Sequence, residues 1–190
     1  MSITEIINSR RTIRKFKNTP IETKLLTKYI NNARLAPSAA NMQPLKYVVV
    51  ESPRMCEQIF PLLKWAGYLN GTYTPNENER PTAYIVVCGD TNIRQSGYDW
   101  DVGAAVENII LSALEDGIGA CWIASVDREK TANLLSLPEN LAISSVIALG
   151  YPAETPKDVE MADGDVKYYL QDGTLCVPKR SMDEILIKVL

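Results

Sequence analysis

The chain has 190 residues, 46% of them apolar and 23% charged, and a formal net charge of −3. That is the length and composition of one globular domain with enough chain for a sizeable core. The acidic balance argues against nucleic acid as a partner, because a phosphate backbone demands a cationic surface.

Histidine is absent. Its absence excludes Ser–His and Cys–His nucleophile systems and removes the commonest metal ligand, so no metal site is expected. Demanding chemistry then falls to Lys, Tyr, Asp or Glu, or to a bound cofactor. The four cysteines, Cys56, Cys88, Cys121 and Cys176, are widely spaced and form no CxxC pair. Cys88 and Cys121 lie in apolar, strand-like runs and read as buried free thiols. No N-terminal signal pattern is visible, and no apolar run approaches the ~18 residues of a membrane span. The expectation is a cytoplasmic protein with reduced thiols and no membrane partner.

In chain order, Ser2 followed by Glu5 reads as a capping box that opens a short helix with Ile3, Ile6 and Ile7 on its apolar face. The helix ends near Ser9, where Arg10-Arg11-Thr12-Ile13-Arg14-Lys15-Phe16 begins. Such a run can be a solvated charged face. Arg10, Thr12 and Arg14 alternate, however, so an extended chain presents two guanidiniums and a hydroxyl on one side, a good site for a phosphate or a pyrimidine edge.

A second helix starts after Pro20, with Thr23 as its cap. Leu25, Leu26, Tyr29, Ile30 and Ala33 form its buried stripe, and it stops before Pro37. The loop Ala36-Pro37-Ser38-Ala39-Ala40-Asn41-Met42-Gln43-Pro44 follows. Asn41 and Gln43 serve turn chemistry there, or the mixed donor–acceptor edge of a heterocycle.

Residues 46–51 read as a first strand, and residues 53–63 as a helix. Residues 66–81 read as a long, mobile loop of the kind that often forms a lid. Trp65 and Tyr68 beside it are packing residues or the lining of a planar substrate's pocket. A second strand covers 83–88. The longest helix runs from Trp100 to Asp116 with Asp99 as its cap. It is apolar nearly all round, so it is expected to be buried in the core or against a second subunit.

Gly117 stops that helix. Gly117-Ile118-Gly119 follows a helix and precedes a strand, the reverse of the order that a dinucleotide fingerprint needs. Strands at 120–124 and 143–149 flank a helix at 127–135, and the turn Ala124-Ser125-Val126 leaves backbone N–H groups free for a ligand. Residues 153–170 read as polar and irregular. Lys179 and Arg180 then precede a last amphipathic helix over 181–189, at its anion-friendly end. There is no repeat, no low-complexity segment and no domain boundary.

Taken together, these pieces resemble the nitroreductase-like family of FMN-dependent oxidoreductases. The matching pieces are Arg10 to Phe16, Ala36 to Pro44, Gly103-Ala104-Ala105-Val106-Glu107-Asn108, Gly117-Ile118-Gly119-Ala120-Cys121-Trp122-Ile123, Leu149-Gly150-Tyr151-Pro152 and Val177-Pro178-Lys179-Arg180-Ser181. They occur in the family's order over almost the whole chain.

The resemblance implies an α+β, three-layer fold with a central mixed, mainly antiparallel sheet flanked by helices. It implies a homodimer with FMN between the subunits, and a C-terminal segment, here 173–177, that adds an edge strand to the partner. Carried over by position, Arg10, Arg11, Thr12 and Arg14 hold the phosphate, ribityl chain and pyrimidine edge. Lys179 and Arg180 complete the phosphate clamp. Pro37, Ser38 and Asn41 of the partner subunit, joined by Gln43, lie against the ring. The turn Ala124-Ser125-Val126 directs an N–H at flavin N5. The activity implied is NAD(P)H oxidation with ping-pong transfer to a small planar acceptor such as a nitroaromatic or quinone. Reductive dehalogenation, enone reduction, flavin modification and flavin-based sensing with little turnover use the same fold and stay open at this point.

Overall fold

The computed structural model describes residues 1–190. Its organising element is β2 (Ala83–Asp90), buried at every position but the last. A strand buried on both faces needs a layer on each side, and its alternate side chains go to different cores. Tyr84, Val86 and Cys88 join one apolar cluster with Ile59, Phe60, Cys121 and Val146. Ala83, Ile85 and Val87 join the other with Leu26, Tyr29, Ile109 and Leu149.

The central sheet has the order β1-β2-β4-β3 and is antiparallel throughout, with β1 Leu45–Val50, β3 Gly119–Ile123 and β4 Leu141–Gly150. A bulge between Val87 and Cys88 shifts the β2–β4 register. Helices α2 (Thr23–Ala33) and α4 (Asp99–Glu115) cover one face. Helix α3 (Pro53–Ile59) and the segment after it cover the other face, with α5 (Arg128–Leu134) on the same side. This is the expected α+β, three-layer arrangement. The only parallel pairing lies in a second, smaller sheet described below.

Helix α1 (Ile3–Ser9) has the expected capping box, but only Ile6 is buried; Ile3 and Ile7 face outward. Helix α2 begins at Thr23 after Glu22, so Thr23 is not its cap, and the Thr23 hydroxyl donates instead to the Glu51 carboxylate. Helix α4 includes Asp99 and follows Tyr98 as its cap. It is not buried all round, because Trp100 is 87% exposed. The helix expected over 53–63 is α-helical only to Ile59 and ends in a 3-10 turn over Phe60–Leu62, since Pro61 has no N–H to continue the ladder.

The larger departures are C-terminal. Residues 153–170 are not irregular throughout, because β5 (Lys157–Glu160) falls within them and β6 (Tyr169–Gln171) begins at their end. β7 (Thr174–Lys179) pairs in parallel with β5 and antiparallel with β6, so this segment is a strand of its own chain's second sheet. The last helix is a single short piece, α6 (Met182–Ile185), capped by Ser181. Three of β5's four residues are charged, which is why its pattern is faint: only Val159 is even half-buried.

Candidate functional site

The basic segment runs extended along the free side of β3. Ile13 donates its N–H to the Ala120 carbonyl at 2.9 Å, and Phe16 bridges to Pro152. Ile13 and Phe16 are buried, and Arg14 and Lys15 between them are half-buried. Two glycines allow this approach. A Cβ at Gly119 would stand 2.7 Å from Ile13 Cγ1, and one at Gly150 would stand 2.8 Å from Phe16 Cδ1.

The cations of this segment have different surroundings. Arg10 faces Glu107 of α4 at a loose 3.6 Å. Arg11 is ion-paired with Asp158 at 2.5 Å. Arg14 is half-buried and makes no salt bridge; its guanidinium lies 4.6 Å from the centre of the Tyr168 ring. Its backbone N–H and that of Lys15 both go to one oxygen of Glu154, while the other oxygen accepts from the buried Tyr73 hydroxyl at 2.5 Å. Thr12 is half-buried.

The C-terminal cations lie on the second sheet. Asp158 sits opposite Val177 in β7, and its carboxyl is held below the usual carboxylate range by the Arg11 guanidinium, with Lys179 contributing from two residue pairs along the ladder. Arg11 and Lys179 are thus gathered around one carboxylate. Arg180 turns away into an ion pair with Glu184.

The loop after α2 forms a separate cluster. A 3-10 turn covers Ala39–Asn41, and Ala40, Asn41 and Gln43 all have left-handed φ, between 50° and 54°. The Gln43 amide donates to the Asn41 side-chain oxygen at 3.0 Å. The loop is pinned to the first turn of α4, where buried Asp101 accepts from the Ser38 hydroxyl at 2.5 Å and from the Ala39 N–H at 3.2 Å. Pro37, Ser38, Gln43 and Asp101 share a cleft of about 190 Å³ with Arg34 and Tyr47. No hydrogen bond or ion pair joins this loop to the basic segment within the chain. α4 carries a contact to each: Asp101 to the loop and Glu107 to Arg10. Six residues apart, these stand about 9 Å along the axis and about 120° around it.

At the turn after β3, Ala124 and Ser125 are exposed and neither donates its N–H within the chain. Val126 is buried and its N–H closes onto the Ala124 carbonyl at 3.0 Å, so two of the three expected donors are free. Asp127 caps α5.

Trp65 is buried, stacked on Phe60 at 5.4 Å, and belongs to the core. Tyr68 is half-exposed and its ring lies 5.0 Å from that of Tyr168. The 66–81 loop holds 3-10 turns at Gly67–Leu69 and Glu77–Glu79 and is anchored by Tyr73 on Glu154 and by Glu79 on Lys15. All four cysteines are free and buried, and burial pushes the Cys88 and Cys121 thiols up to about 11, so they stay protonated and inert near neutrality.

Asp101, Glu154, Asp158 and Tyr168 were not anticipated from the sequence. Asp101 had a visible signal: it lies one turn before Ala105 and two before Ile109, so a carboxylate falls on the buried stripe of an apolar helix. The others act across more than 60 residues of sequence and left no local pattern.

The sequence pattern of the nitroreductase family matches residues 7–71 and 78–151. The chain belongs to the nitroreductase family. It is an oxidoreductase. One relative in the nitroreductase family, named "Putative NADH dehydrogenase/NAD(P)H nitroreductase" from Archaeoglobus fulgidus, is 36% identical over 166 residues, which is 84% of this chain and 90% of the relative. Among solved structures, a nitroreductase family protein from Clostridium novyi NT is 32% identical with a TM-score of 0.69, covering 80% of this chain and 87% of that one. A nitroreductase-fold protein from Desulfovibrio desulfuricans, solved in complex with FMN, has a TM-score of 0.67 at 23% identity over 86% of this chain and 93% of that one; at that identity the likeness is one of fold. The second sheet lies beyond the nitroreductase match, which ends at residue 151.

Proposed function

We propose that this nitroreductase-family chain binds FMN between two copies of itself and passes electrons from NAD(P)H to a small planar acceptor, with donor and acceptor using one cleft in turn. The observation that carries the reading is Arg14: a half-buried guanidinium with no carboxylate partner. A partly desolvated guanidinium that meets only the Tyr168 ring leaves its N–H donors without an acceptor in the chain, and an electron-rich pyrimidine edge would complete it.

The residues present fit FMN. A phosphate close to a dianion needs several charge-assisted bonds. Arg10 has only a loose contact to give up, and Lys179 is exposed. Arg11 would add charge nearby while staying tied to Asp158, Thr12 would offer its hydroxyl, and Arg180 would contribute on leaving Glu184. The free N–H groups of Ala124 and Ser125 are donors for ring atoms, and Pro37, Ser38, Asn41 and Gln43 form the flat wall. When bound, FMN supplies hydride transfer at its N5.

The chain's own residues bind, orient and tune. A guanidinium at about 4 Å from a developing negative charge contributes on the order of 4 kcal/mol at an effective dielectric near 20, before desolvation. Arg14 at the pyrimidine edge therefore favours the reduced form, with Glu154 fixing the backbone that aims it. Tyr68, whose half-exposed ring lies against Tyr168, offers an aromatic surface on the same side as Arg14 for an acceptor.

The homodimer is part of the proposal. Arg10 and the Ser38 loop face different sides of α4, as two half-sites related by a two-fold axis require. Ile3, Ile7, Leu35 and Trp100 leave an apolar surface on the α1–α4 side, and Ile187, Val189 and Leu190 leave a second one at the C-terminus.

The test is the visible spectrum of the purified protein with its flavin released by heat, followed by NADH and NADPH oxidation with and without a quinone or nitroaromatic. About one FMN per chain and acceptor-dependent oxidation are expected. A colourless protein that takes up no added FMN would overturn the reading, and bound FMN without turnover would leave a flavin-binding sensor.

A further inference from the structure

The Asp101 carboxylate lies inside the protein on the buried stripe of α4, and its partners are not the helix's own amides. α4 is capped by the Tyr98 backbone with no side-chain bond. Asp101 accepts instead from Ser38 and Ala39 of the loop, and the Ser38 oxygen in turn accepts from the Gln43 N–H at 2.9 Å. One carboxylate thereby closes a ring of bonds around residues 38–43. Within that ring Ala40, Asn41 and Gln43 hold left-handed φ, a conformation that L side chains adopt only when their surroundings impose it. Asn41 and Gln43 bond to each other, so the ring also fixes which way the two amides face.

We infer that Asp101 is a positioning residue for flavin recognition: it holds the Ser38–Gln43 loop in the strained shape that receives the ring of the flavin, and does so from the helix that also faces Arg10. The inference rests on the FMN reading above. It goes beyond that reading in separating recognition of the ring from recognition of the phosphate. Asp101 reaches the ring through Ser38, whereas Arg10 and Lys179 reach only the phosphate.

The test compares FMN with riboflavin, which has the same ring and no phosphate, on wild type, Asp101→Asn and Arg10→Ala. The Asn variant keeps the size, but it has one acceptor oxygen where Asp101 uses two, so it loses the charge and one of the two bonds as Asp101 makes them. It is expected to weaken FMN and riboflavin by the same factor, about tenfold or more. Arg10→Ala is expected to weaken FMN alone. A packing role for Asp101 would lower the melting temperature and leave the affinity of the folded protein for riboflavin unchanged. That result overturns the inference. Wild type that binds neither flavin overturns the FMN reading itself, which separates the two failures.

If Asp101→Asn does not fold, Ser38→Ala and Ser38→Thr decide. The first removes the relayed bond to Gln43 and is expected to weaken riboflavin; the second keeps the hydroxyl and is expected to restore binding. Equal riboflavin affinity in both overturns the inference.

Discussion

Arg11 and Asp158 are 147 residues apart in sequence and 2.5 Å apart in space. The pair fastens the N-terminal basic segment to the second sheet, and it occupies one of the cations that the family resemblance assigns to phosphate. Asp158→Asn should therefore have two opposed effects. The Asp158 side chain is 56% exposed, so the loss of stability is expected to be under about 1 kcal/mol. The folded carboxyl titrates below its ordinary value of 3.8. Its contribution is thus complete above that value and is lost as the pH falls through the lower, folded value. Urea midpoints of wild type and variant should converge as the solution is acidified through the carboxylate range. FMN should meanwhile bind the variant a few-fold tighter at neutral pH, because Arg11 is released; weaker binding would mean that the pair shapes the site.

Arg10→Ala and Lys179→Ala remove phosphate donors from opposite ends of the chain. Each is expected to weaken FMN about tenfold at low salt, consistent with loss of a charge-assisted bond, and to flatten the dependence of affinity on salt. Titration by flavin fluorescence at several ionic strengths checks both. Unchanged FMN affinity in both variants would remove the basic cluster from the site.

Gly119→Ala tests the approach of the basic segment to β3. The added methyl would stand 2.7 Å from Ile13 Cγ1, too close for any rotamer, so the segment must move outward. Overpacking of this kind costs about 1–3 kcal/mol. The expected result is that loss in chemical denaturation together with weaker FMN binding, since Thr12 and Arg14 flank the displaced residue.

Trp100→Glu tests the apolar side of α4. At 87% exposure the indole adds little to the fold of a single chain, so the melting temperature of the monomer should barely change. If this face joins two copies, a buried carboxylate there shifts the assembly toward monomer, which sedimentation at several concentrations reads directly. A variant that stays fully dimeric places the interface elsewhere.

Elements with a strong period were legible from sequence, and those depending on distant partners were not. Leu26, Tyr29 and Ala33 recur at helical spacing and are buried as that spacing requires. The run from Ala83 to Cys88 has no polar residue, which announces a strand covered on both faces. Arg10 to Phe16 stood out because Arg10, Thr12 and Arg14 alternate, and the fold buries Ile13 and Phe16 of the same segment. β5 escaped because Lys157-Asp158-Val159-Glu160 is a strand held by ladder bonds to β7, with almost nothing apolar of its own. The last helix was overestimated because Leu186, Ile187 and Val189 carry an amphipathic pattern but find nothing in their own chain to pack on. At the site, the arginines and the Ser38 loop were visible as chemistry. Glu154 and Tyr168, which contact the basic segment, were not, because each meets its partner only after the chain has folded; Asp101 showed only as a carboxylate on the buried stripe of α4.

The second sheet stands outside the family match, yet it brings Asp158 to Arg11, and Tyr168, just before β6, lays its ring against Arg14. The two cores on either side of the central sheet need neither contact. Residues 152–190 therefore form a cuff around the three-layer core, seated on it where Leu175 packs against Ala66 and Tyr73. Exchanging the cuff for another sequence would alter the charge felt by two arginines while the two clusters of the central sheet keep their packing.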